Sequence, residues 1–95
     1  SKDVLDKTFK ELLAYTNEHF TFEEELLNKY NYPAINVQIL EHRDFIDTLN
    51  ALIERNQDGF DMMVEIDLED VLKSWLTGHI ASVDYKFSDF LKSKM

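Results

Sequence analysis

The sequence predicts an all-α fold, an up-down antiparallel helical bundle with three long helices, on three observations. Apolar residues recur at spacings of three and four over long stretches, which is the helical period. No alternating apolar–polar run of useful length occurs, and the turn dipeptides of hairpins are missing. The single proline, Pro33, and one of the two glycines, Gly59, fall between the periodic stretches, where helices would end.

The first helix is expected from about Asp3 to Lys29 (3–29), with Leu5, Phe9, Leu12, Tyr15, Leu26 and Tyr30 along its apolar stripe. Pro33 disfavours helical geometry at Tyr32 and is a good first residue of a new helix, so the second is expected from Pro33 to Asn56 (33–56). Its stripe comprises Ile35, Ile39, Phe45, Ile46, Leu49, Leu52 and Ile53. Asn56-Gln57-Asp58-Gly59 reads as a stop, with Gly59 able to take a left-handed cap. The segment Phe60–Ile66 is open between a helical turn and a loop pinned by Met62, Met63 and Val64. Asp67, Glu69 and Asp70 suit the positive end of a third helix, expected from Asp67 to Lys92 (67–92), where Lys92 and Lys94 suit the negative end. Helices of roughly 35–40 Å joined by short connections favour antiparallel packing in one domain, residues 1–95. Their wide apolar faces would accept a fourth helix.

Composition removes several functions. There is no cysteine, hence no disulfide, thiolate zinc site, iron–sulfur cluster or cysteine nucleophile. Gly59 and Gly78 lie too far apart for a phosphate-binding loop. Nineteen acids against ten bases give a net charge of −9, which repels nucleic acid and anionic membranes. No stretch of 18 apolar residues could span a membrane, and the first residues lack the apolar run of a signal peptide. A cytoplasmic location is the expectation.

The informative polar residues are the three histidines, one per helix and each on an expected inner face. His19 lies between Tyr15 and Leu26, with Glu23 four residues on and facing the same way. His42 lies between Ile39 and Phe45, with Gln38 one turn earlier. His79 follows Trp75 by four, and Asp84 comes five residues later. A step of five is about 140° of rotation, so Asp84 would have to reach inward sideways or be turned by a local bulge in the helix. A lone inward histidine is most often a hydrogen-bonded core residue. Three of them, with carboxylates beside two, favour a metal instead, because burying Glu23 and Asp84 uncompensated would cost several kcal/mol each. Imidazole with carboxylate is the donor mix of non-haem iron, manganese or zinc.

Two stretches resemble the hemerythrin family. His19-Phe20-Thr21-Phe22-Glu23-Glu24-Glu25 is similar to its H-F-x-x-E-E stretch, and Trp75-Leu76-Thr77-Gly78-His79-Ile80-Ala81-Ser82-Val83-Asp84 to its W-L-x-x-H-I-x-x-x-D stretch. Tyr32-Pro33 and Glu41-His42-Arg43-Asp44-Phe45 also look like the family, and the resemblance spans roughly Leu12 to Phe90. It implies a four-helix bundle around a non-haem di-iron centre, two oxo- or hydroxo-bridged irons with O2 as ligand. Glu23 and Asp84 would bridge the irons, with His19 on one and His42 and His79 on the other. Trp75 and Leu76 would wall the oxygen pocket. Of the glutamate run, Glu23 is expected inward and Glu24 and Glu25 solvated.

Where the family reads HxxxH, this chain has Gln38 four residues before His42, so Gln38 is an altered ligand position. The chain also begins where the family's second helix begins. The expectation is the four-helix bundle minus its first helix, with three explanations open: cleavage or truncation, a natural variant with an altered site, or filling of the exposed apolar groove by a second copy, which would give a dimer or higher oligomer. O2 carriage, storage or sensing is the implied function, without enzymatic activity. A di-iron enzyme acting on peroxide or nitric oxide, with Tyr15 or Tyr85 as proton donor, and a metal-free dimerisation module are the alternatives.

Overall fold

The computed structural model describes residues 2–59, 61–75, 77–79, 89–90 and 92–94. Among the described residues, three α-helices follow one another: α1 Lys2–Lys29, α2 Ile35–Gln57 and α3 Met62–Ser74. Beyond α3, residues 75 and 77–79 continue with π-helical geometry. No strand occurs among the described residues. Contacts between distant residues fix the directions. Asn56 Nδ2 donates to Asp6 at 2.7 Å and His42 meets Glu24 at 2.7 Å, so α2 runs back along α1. Arg55 meets Asp67 at 2.8 Å and His79 meets Glu41 at 3.4 Å, so α3 reverses again along α2.

The reversal after α1 is written in Asn31, whose φ of 56° is left-handed. Asparagine tolerates that region better than most residues. The Asn31 N–H donates to the Asn28 carbonyl and the Tyr32 N–H to the Leu27 carbonyl, the paired bonds of a Schellman cap. Tyr32 is buried by the turn. Pro33 and Ala34 belong to that turn, so α2 starts at Ile35, two residues later than Pro33 alone suggests. Gly59 has a φ of 128°, a conformation L side chains rarely adopt, and lies in the second connection.

The open segment before Asp67 is helical. Asp61 takes extended geometry (φ −137°, ψ 112°) and its Oδ1 accepts from the Met63 N–H at 2.9 Å. Such a cap contributes about 1 kcal/mol, and it moves the start of α3 from the expected Asp67 to Met62. Asp67 instead pairs with Arg55, which also lies 3.7 Å from Asp61, so one guanidinium ties the end of α2 to the start of α3. The hydrogen bond that Arg55 donates to Asp67 raises the Arg55 pKa. At the same end of the bundle, the Lys2 ammonium beside Asp6 lowers that carboxyl below its ordinary value. The contribution of a depressed carboxyl is complete above its unfolded pKa and lost as pH falls through the folded one.

The core joins Leu5, Phe9 and Phe20 of α1, Phe45, Leu49 and Leu52 of α2, and Val64 and Leu68 of α3. The inner face of α1 steps through Thr16, Phe20, Glu23 and Leu27, not through Tyr15 and Leu26. A position one residue off the stripe is turned about 100° from it, which leaves Tyr15 65% exposed. Thr16 enters the stripe because its hydroxyl bonds back to the Leu12 carbonyl. In α2 the polar residues Gln38, His42 and Asn56 are buried in line with Phe45, Leu49 and Leu52. No helix among the described residues is long and apolar enough to cross a membrane.

Candidate metal centre

Three of these inward polar residues converge. Glu23 of α1, His42 of α2 and His79 of the π-helical turn are each buried, and one ligand atom from each lies within 4.8 Å of the others. The helical period brings them there. Glu23 lies on the stripe of Phe20 and Leu27, and His42 on that of Phe45 and Leu49. His79 lies one turn beyond Trp75, where the helix widens. A π-helical turn re-aims side chains at the cost of regular hydrogen bonding and is common at functional sites.

Aromatic rings hold the two imidazoles. Phe20 stacks on His42 with centroids 3.9 Å apart and planes 2° from parallel. Trp75 stacks on His79 at 3.9 Å and 10°. Trp75 in turn packs against Phe45 at 4.4 Å and Phe20 at 5.3 Å, so one aromatic cluster walls both ligands. A pocket of about 170 Å³ adjoins Glu23 and His79 on the side between α1 and α3, with Leu12, Leu72 and Trp75 among its walls. Trp75 thus lines a pocket beside the cluster. Leu76 and Asp84 lie outside the described residues, and so does Tyr85.

His19 differs from its expected place. Its Nε2 is 2.9 Å from Glu23 Oε1, so the two groups do meet across one helical turn. Its side chain, however, is 45% exposed, and its ring lies parallel to that of Tyr15 at 5.7 Å. It shares the exposed edge of α1 with Tyr15 and approaches the carboxylate from the rim, outside the group of three. Gln38 is fully buried one turn before His42.

Two functional contacts escape the sequence pattern. His42 Nδ1 lies 2.7 Å from Glu24 Oε2, and His79 Nδ1 lies 3.4 Å from Glu41 Oε2. Glu24 was expected in solvent beside Glu25, but the adjacent helix brings an imidazole to it, and its side chain is only 31% exposed. The nearest signal in the sequence is adjacency: Glu24 follows Glu23, and Glu41 precedes His42.

Two imidazoles and one carboxylate, all buried, are the donor set of mononuclear non-haem ferrous sites and of half a di-iron site. The donor chemistry therefore fits iron. Glu24 and Glu41 add negative charge behind the imidazoles, which further favours a cation.

Comparison with known proteins agrees with this chemistry. The family model described as the hemerythrin HHE cation binding domain matches residues 2–91. The chain is 34% identical over 92 residues to a bacteriohemerythrin of Stenotrophomonas maltophilia (strain R551-3), covering 97% of this chain and 59% of that protein. It is 32% identical over 92 residues to a bacteriohemerythrin of Pseudomonas paraeruginosa, with the same coverage. A myohemerythrin of Theromyzon tessulatum is 29% identical over 91 residues, covering 90% of this chain and 69% of that protein. The chain thus spans about 59% of the length of the bacteriohemerythrins it matches. No solved structure gives a significant match.

Proposed function

Since this chain belongs to the hemerythrin family, we propose that it is a non-haem di-iron protein that binds O2 for carriage, storage or sensing. The observation that carries the reading is the burial of Glu23, His42 and His79 from three separate elements around one point. His42 and His79 would hold one iron, with Gln38 in an altered ligand position. His19 would serve the other, with Glu23 shared between them and Asp84 as the second bridge.

When bound, ferrous iron supplies the electrons that make O2 a ligand. The chain's own share is different. Glu23 provides charge that two neutral imidazoles lack. Phe20 covers a face of His42 and Trp75 a face of His79, with Phe45 packed against both aromatic rings. The adjoining pocket is large enough for a diatomic molecule.

The test is anaerobic loading with ferrous iron, then exposure to O2 and its removal. Reversible charge-transfer bands are expected, with two irons per chain. Bands that bleach as peroxide or nitric oxide is consumed would replace the carrier with an enzyme. A chain that retains no iron would sink both readings and leave a helical assembly module. Self-association through apolar side chains such as Tyr15 and Leu72, which line the groove between α1 and α3, belongs to the same reading. Light scattering is expected to give a dimer mass at tens of micromolar; a monomer mass would exclude it.

A further inference from the structure

We infer that Glu24 and Glu41 are positioning residues for the metal centre, each fixing through Nδ1 an imidazole that offers its Nε2 to the metal. The inference rests on the metal-binding reading of Glu23, His42 and His79.

Stacking on an aromatic plane fixes the plane of an imidazole, but it chooses neither between the two flipped orientations, which exchange Nδ1 with Cδ2, nor which nitrogen carries the proton. Phe20 and Trp75 therefore fix only the ring planes of His42 and His79. A carboxylate at Nδ1 fixes the orientation and the tautomer, because it accepts from an N–H and repels a bare lone pair. At His42 the arrangement is complete. Glu24 Oε2 is 2.7 Å from Nδ1, while Nε2 faces Glu23 Oε1 at 3.9 Å. Adjacent residues of one helix point about 100° apart, so Glu23 and Glu24 can straddle a single imidazole of the facing helix.

The device recurs one helix further on. His42 enters the cluster while its neighbour Glu41 reaches His79 Nδ1 at 3.4 Å, and His79 Nε2 is buried. Each of two adjacent pairs, Glu23-Glu24 and Glu41-His42, therefore gives one group to the centre and one to the next imidazole. The 2.7 Å contact is a short charge-assisted hydrogen bond, whereas 3.4 Å is beyond the usual range. Glu24 should consequently matter more than Glu41.

Two measurements on the 95-residue chain test this, with circular dichroism to check that each variant folds. In the metal-free protein, nitrogen-15 imidazole correlation spectra should show His42 Nδ1 protonated. Glu24→Gln should keep that proton, since an amide oxygen also accepts, and Glu24→Ala should lose the preference. A wild-type His42 with Nδ1 unprotonated overturns the inference. The second measurement titrates Co2+ alone, an air-stable stand-in for ferrous iron, and follows the emission of Trp75. That residue is the chain's one tryptophan and is stacked on His79, so an ion there should quench it.

Glu24→Ala should weaken Co2+ binding about 10–100-fold, Glu24→Gln should recover most of the loss, and Glu41→Ala should lose less than Glu24→Ala. Equal Co2+ affinity in wild type and Glu24→Ala overturns the positioning role alone. A wild-type chain that protonates His42 Nδ1 yet takes up no Co2+ overturns the metal reading together with the positioning role, leaving the contact a structural pair.

Discussion

Glu23→Ala is expected to weaken metal binding by more than about 100-fold. Glu23 is the one carboxylate of the converging three and is 5% exposed. Its loss leaves two neutral imidazoles, which supply donors but no charge. Since outer carboxylates alone are worth about 10–100-fold in affinity, a ligand carboxylate should exceed that range. Equilibrium dialysis with ferrous iron reads the effect. Iron affinity within tenfold of wild type in Glu23→Ala would remove Glu23 from the centre.

Phe20→Ala is expected to cost about 3–5 kcal/mol, the usual range for deleting a buried phenyl ring. Phe20 is 5% exposed and touches both sides of the core, edge-on to Phe45 at 5.9 Å and tilted against Trp75 at 5.3 Å. A domain of this size commonly has only about 5–15 kcal/mol of stability, so thermal melting followed by circular dichroism should show a midpoint lower by tens of degrees, if a transition survives. Phe20→Leu separates the two roles. It keeps most of the apolar volume, so the melting point should fall much less, but it removes the ring stacked on His42. If Phe20→Leu melts like Phe20→Ala, the ring's contribution is specific packing with no replaceable volume.

The parts of the fold legible in the sequence are those governed by short-range chemistry. Pro33 and Gly59 mark both reversals, and the spacing of apolar residues finds α1 and α2 within a residue or two. The start of α3 is hidden because Asp61 acts through one side-chain oxygen on one N–H, with no periodicity around it. At the site, Glu23, His42 and His79 are legible because each interrupts an apolar stripe. The five-residue interval after His79 leads to Asp84, which lies outside the described residues. Glu24 and Glu41 are not legible, since their imidazoles lie 18 and 38 residues away in sequence. Nor is the exposure of His19: a one-residue step around α1 puts it on the rim with Tyr15 while Glu23 remains inside.

The left-handed Asn31 has a geometric consequence for all of this. The chain folds back about a point between Tyr32 and Pro33, so buried positions of α1 and α2 form mirror pairs whose numbers add to 65: Thr16 and Leu49, Phe20 and Phe45, Glu23 and His42, Leu27 and Gln38. Glu24 and Glu41 obey the same rule. The hairpin is therefore a ruler with its zero at the turn, and the centre is one of its graduations. Side chains at the turn can change without disturbing the scale. Removing one residue between the turn and His42 would shift every later graduation by about 1.5 Å and 100°, carrying His42 and Glu41 out of alignment together.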